Sequence, residues 1–181
     1  VALLLQGKVD ANGAQIAGLD LTANDKQSLK LTGNLDWSTG LTAQAKIDWL
    51  DFPWHRLYPL IDEPQVALRS FNGEVSYTDG KYLGYFKAAL DGPAGAFSLT
   101  SPFAGDLTKI YLQQLSLEAG QGKAQGHLNL QFADGIAWDT ALDLSALNPA
   151  YWMAELPGTL AGPLRSKGEM KNQQLSLSAD L

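Results

Sequence analysis

The chain has no cysteine. That removes disulfides, thiolate metal ligands and a cysteine nucleophile, and it leaves redox chemistry silent about the compartment. Basic residues are scarce as well: 13 Lys and Arg face 19 Asp and Glu, for a net charge of -6. A nucleic-acid partner needs a basic footprint, so none is expected, and no phosphate-binding surface is implied. No apolar run approaches the ~18 residues of a membrane-spanning helix, and no signal sequence is present. Hydrophilic linkers are missing too, so nothing marks a domain boundary. With 45% hydrophobic residues over 181 positions, the chain folds as one sizeable domain or two coupled ones and is not a disordered polymer.

Chemistry-bearing constellations are just as sparse. The two histidines, His55 and His127, are 72 positions apart (127 − 55), and surface or helix-end roles suit them better than metal ligation. Gly120, Gly122 and Gly126 are spaced GxGxxxG ahead of an alternating run, and Lys123 is followed by Ala124 where a phosphate loop needs Ser or Thr. Glu74 and Glu169 are better explained by duplication than as paired carboxylates, and no serine sits in a GxSxG setting. No enzyme, cofactor or metal site is expected.

What the chain has is alternation with a period of two, the signature of half-buried strands. Leu41, Ala43, Ala45, Ile47 and Trp49 alternate with Thr42, Gln44, Lys46 and Asp48 over nine residues in strict register. Similar runs recur from Leu3 to Leu181, separated by turn signals such as Asn12-Gly13, Thr39-Gly40, Asp79-Gly80 and Asp134-Gly135. The count is roughly eleven strands. Two proline-bracketed segments interrupt them, Phe52 to Pro59 and Asn148 to Pro157, each long enough for one or two helical turns. In the second, Asn148 suits an N-cap and Pro149 the first helical position.

The pattern also repeats. Gly33 corresponds to Gly126 (126 − 33 = 93), Asp48 to Asp143 (143 − 48 = 95) and Gly73 to Gly168 (168 − 73 = 95). A period of 93 to 95 residues implies stacked copies of one supersecondary block that cannot bury its apolar face alone. Residues 1–181 are therefore expected to be a single fragment of a longer repetitive β protein, and the ends, which fall within alternating runs, fit that expectation.

So many one-sided strands and so little helix require the sheet to cover itself, as a sandwich, a closed barrel or an elongated sheet curled into a trough. The sandwich is the default; the one-dimensional repeat favours the trough. Its candidate lining is Leu29, Leu31, Leu35, Trp37, Ile47, Trp49, Val75, Tyr77, Phe86, Phe97, Leu128, Leu130, Phe132, Ile136, Trp138, Leu142 and Leu177. Trp54 and Leu57 in the first interruption, and Tyr151, Trp152 and Met153 in the second, are candidates for two short helices along the groove mouth, or packed inside it.

The repeated stretches GNLDWSTGLTAQAKIDWLDFPWHRLYP from Gly33 and GHLNLQFADGIAWDTALDLSALNPAYWMAELPGTLA from Gly126, with Ala119 to Gly126 (AGQGKAQG), resemble the TamB family, related to the AsmA-like proteins. The resemblance covers essentially the whole chain, and the AGQGKAQG and LNPA…ELPGTL stretches carry most of it. It implies an all-β fold with two short helices, a β-taco: a U-shaped trough with an apolar interior and a polar outside. It further implies a periplasmic protein of Gram-negative bacteria, anchored in the inner membrane by a helix absent from these residues and meeting TamA, an outer-membrane Omp85-type barrel. The roles implied are movement of phospholipids between the membranes and assembly of outer-membrane β-barrels such as autotransporters. Three readings stand at this point: a conduit for phospholipid acyl chains, a chaperone that holds unfolded outer-membrane polypeptide by β-augmentation, and a passive β-sandwich spacer.

Overall fold

Every alternating run of the sequence becomes a strand, because only extended backbone puts all of its apolar residues on one side. The structure is a computed structural model that describes residues 1–24, 26–53, 64–133, 135–171 and 174–180. Among the described residues there are twelve strands, one more than the count from sequence: β1 (Ala2–Val9), β2 (Gly13–Asn24), β3 (Gln27–Asp36), β4 (Thr42–Leu50), β5 (Ala67–Thr78), β6 (Lys81–Gly92), β7 (Gly95–Asp106), β8 (Lys109–Ala119), β9 (Gly122–Gln131), β10 (Ile136–Leu147), β11 (Leu160–Lys171) and β12 (Gln174–Asp180). They form one sheet in chain order, every neighbouring pair antiparallel, with β1 and β12 as its two edges. The fold is thus all-β and not closed.

The two ends of the strands differ. At one end the connections are tight, and an aspartate organises several of them. The Asp10 carboxylate accepts from the backbone N–H of Asn12 and Gly13, Asp36 from Ser38 and Asp106 from Thr108. Asp79 and Gly80 turn β5 into β6 with φ of 47° and 86°, the mirror-image turn that matches strand twist. At the other end lie the two long connections, after β4 and after β10. The second of the expected short helices is a single 3-10 turn, Pro149–Tyr151, capped by the Asn148 side chain, which accepts from the Ala150 N–H. Trp152 already leaves helical geometry, so the segment is too short for an amphipathic helix. The first expected helix, with Trp54 and Leu57, lies outside the described residues.

A single sheet leaves much surface exposed. The accessible area is 11819 Å², whereas a compact monomer of 19.5 kDa has about 8,500 Å². A sandwich core is excluded on this ground, since two interdigitated layers would bury the difference.

Candidate functional site

Strand pairing gathers the apolar side chains onto one face in continuous rows. One row runs through register partners across all twelve strands, from Val9 through Leu35, Tyr77, Ile110 and Leu130 to Trp138 and Leu177. The next runs from Gly7 through Ile16, Ala45, Val75 and Phe103 to Leu128, and then passes through Thr140 and Ser166 to Ala179. Closer to the long connections, Leu31, Ile47 and Phe86 share a third row, and Leu29, Trp49, Leu99, Ala124 and Leu144 share a fourth. Twelve strands spaced ~4.8 Å apart make this face about 53 Å long.

The larger rings lie flat on this face. A Cβ at Gly84 would meet Phe103 Cζ at 2.6 Å, one at Gly105 would meet the Tyr82 hydroxyl at 2.7 Å, and one at Gly168 would meet the Trp138 ring. Each ring therefore covers a glycine of the neighbouring strand instead of projecting across the sheet. Phe71 and Phe86 stack at 5.9 Å between adjacent strands in the same way.

Most polar groups embedded in the face are turned toward the sheet itself; the buried Trp49 indole N–H is without a partner among the described residues. Tyr82 donates to the Lys109 carbonyl at 2.9 Å, Ser101 to Pro102 at 2.6 Å, Thr140 to His127 at 2.7 Å, and the Trp138 indole to Ser166 at 3.1 Å. Burial first, and then Asp106, pushes the Tyr82 phenol above its ordinary pKa. The opposite face is mostly polar, with Leu83 and Tyr85 of β6 projecting from it as exposed exceptions. It carries Lys46–Glu74 at 3.5 Å, Lys123–Glu118 at 3.4 Å and Lys167–Asp139 at 3.0 Å, all exposed. A hollow of about 850 Å³ lies on that polar side, lined by Gln15, Asn34, Gln44, Lys46, Glu74 and Ser76. A twisted sheet is saddle-shaped, so its polar face is hollow along one diagonal.

Strand register puts Leu29, Leu31, Leu35, Ile47, Trp49, Val75, Tyr77, Phe86, Phe97, Leu128, Leu130, Trp138 and Leu142 on one face of the sheet, and the Leu177 backbone pairs with Gly168. Three expected residues sit at the margin of that face. Trp37 lies past the end of β3, 42% exposed, with its indole donating to the Ala11 carbonyl. Phe132 follows β9 and Ile136 opens β10, both exposed, so turn geometry places them at the tight-turn end. Tyr151 and Trp152 do not lie free along a mouth: both rings pack edge-on against Phe97 at 6.3 Å. Met153 is exposed.

Sequence reasoning missed Leu19, Leu21, Phe71, Tyr82, Ile110, Leu112, Leu115 and Leu117. Several follow β-bulges, where one extra residue flips the alternation. In β8 the inward set passes from Ile110 and Leu112 to Leu115 and Leu117 across Gln113-Gln114, and in β2 from Ile16 to Leu19 across Ala17-Gly18. The break in apolar parity at those pairs is the signal that locates them.

The family described as TamB, N-terminal domain, matches residues 54–181. The translocation and assembly module subunit TamB of Haemophilus influenzae (strain ATCC 51907 / DSM 11121 / KW20 / Rd) is 31% identical over 64 residues, which is 35% of this chain and 5% of that protein. No solved structure matches. A family match over more than half of the chain, together with an open antiparallel sheet of the composition described, shows that the chain belongs to the TamB family.

Proposed function

We propose that this chain is a segment of an apolar groove within a translocation and assembly module, and that its apolar face carries the acyl chains of phospholipids between inner and outer membrane. The observation that carries this reading is the row of register partners from Val9 through Leu35, Tyr77, Ile110 and Leu130 to Trp138, which is aliphatic, aromatic or glycine in every strand from β1 to β10. Each CH₂ of a lipid tail costs ~0.8 kcal/mol to hold in water, so a carrier needs continuous apolar surface and no tight site. The hydrogen bonding supports the same guest. The Tyr82, Ser101, Thr140 and Trp138 polar atoms are already bonded within the sheet. A polypeptide laid on this face would leave its amides unpaired, at ~1–3 kcal/mol each, whereas a hydrocarbon chain loses nothing.

In this reading the sheet curls lengthwise into a trough, a curvature that bulges such as those in β2, β5, β8 and β10 favour. The 93 to 95 residue units correspond to six strands each, repeating along the trough about every 29 Å. The full protein, of which this chain is a part, works in the periplasm from an inner-membrane anchor and with TamA.

The test is photo-crosslinking from single positions in the full-length protein. Probes at Leu31, Ile47, Leu130 and Trp138 are expected to capture phospholipid, and probes at Lys46 and Asp139 on the polar face are not. Capture that does not distinguish the two faces refutes the conduit.

A further inference from the structure

Burial across the apolar face is graded from one end of the strands to the other. Phe97 is 8% exposed, Ala119 2%, Ala124 3%, Leu144 7% and Leu147 3%, and all stand close to the long connections. The rows nearer the tight turns contain no fully buried residue among the described ones, and the row through Leu35 ends in side chains such as Leu35 itself, 36% exposed. The connection after β10 makes the difference. Tyr151 and Trp152 stand over Phe97, and a Cβ at Gly92 would run into the Tyr151 carbonyl, so the backbone of the connection lies directly on the strands. Pro149 is buried beneath it. Six strands away Phe52, just after β4 and 3% exposed, likewise sets its ring edge-on against Trp49 at 5.5 Å.

We infer that the connection after β10, with Phe52 set against Trp49 at the end of β4, forms a sill along one flank of the apolar face, so that guest chains are confined to a track along the rows of Leu35, Val75, Phe103, Ile110 and Leu130 and enter from the tight-turn side. This rests on the conduit reading and adds where the guest lies and which residues confine it. Tyr151 and Trp152 are positioning residues in this scheme, since they set the width of the track without belonging to its floor.

The experiment uses the full-length protein with a photo-crosslinking amino acid at Ile110, Leu130, Leu99 or Leu117. With the native sill, lipid capture at Ile110 and Leu130 is expected to exceed capture at Leu99 and Leu117 by about tenfold, equivalent to ~1.4 kcal/mol. In Trp152→Ala, capture at Leu117 is expected to rise toward that at Leu130, and Trp152→Phe is expected to keep the native pattern. Maleimide labelling of Leu117→Cys, slow with Trp152 and faster with Trp152→Ala, reads the sill without lipid, and an unchanged far-UV circular dichroism spectrum shows that the variant remains folded elsewhere. Equal capture at both flanks of the native protein overturns the sill and leaves the conduit standing. Absence of lipid at all four positions overturns the conduit and the sill with it.

Discussion

Replacing Phe97 and Leu35 separately by alanine measures how unevenly the apolar face is covered. Phe97 is 8% exposed and touches Tyr151 and Trp152 edge-on, while Leu35 is 36% exposed near the tight-turn end. Truncating a buried Phe costs about 3–5 kcal/mol, transfer and cavity together, and its two aromatic contacts place Phe97→Ala within that range. Leu35→Ala removes three carbons that are only part-buried and leaves no enclosed cavity, so about 1–1.5 kcal/mol is expected at ~0.8 kcal/mol per carbon. For a chain of this size each kcal/mol shifts Tm by roughly 2–4 °C, so Phe97→Ala falls by about 6–20 °C and Leu35→Ala by about 2–6 °C. Urea unfolding followed by far-UV circular dichroism, with the slope unchanged between variants, gives the two costs directly. Equal costs would mean that both flanks are equally sealed, and the graded face would have to be abandoned.

Gly84→Ala drives a Cβ into the Glu74 carbonyl and the Phe103 ring, and is expected to lose about 1–3 kcal/mol in the same assay; a neutral result would show that the ring does not lie on the glycine. Tyr82→Phe removes the bond that reaches from β6 over β7 to the Lys109 carbonyl of β8, at an expected cost of about 1 kcal/mol, and a gain in stability would contradict it. Hydrogen bonds from Ser38 hold the Asp36 carboxyl below 3.8, and those from Thr108 do the same for Asp106. A depressed carboxyl pKa stabilises the fold above 3.8 and loses that contribution as pH falls through the lowered value. Carboxyl NMR titration should show Asp106 moving back toward 3.8 in Thr108→Val, and an unmoved curve would remove the turn hydrogen bonds as the cause. Arg69 bridges Asp51 at 3.0 Å and Asp91 at 3.1 Å in the open, so Arg69→Met is expected to cost no more than ~1 kcal/mol, with the loss shrinking at high salt.

Strand identity was legible in the sequence wherever alternation ran undisturbed. From Leu41 to Trp49 each side chain's face could be read directly, and Leu31, Ile47, Val75 and Leu130 came out on the face that pairing gives them. It was not legible where a bulge shifts parity: Leu115 and Leu117 in β8 follow Gln113-Gln114 out of step with Leu112, and only the partner strand shows which residue is extra. Nor did Asn148-Pro149 reveal the length of its helix. The cap and the first turn were readable from local chemistry, but Tyr151 and Trp152 gain more by packing on Phe97 than by winding further.

The sequence by itself determined an all-β chain with one apolar and one polar side, because a period of two leaves no other use for so many alternating residues. It also determined the family, through stretches that recur between its two halves. Only the tertiary structure decided that the twelve strands pair in chain order as a single layer, and which flank of the apolar face is covered. Those depend on contacts between residues distant along the chain, such as Phe97 with Trp152, and no local pattern encodes such a contact.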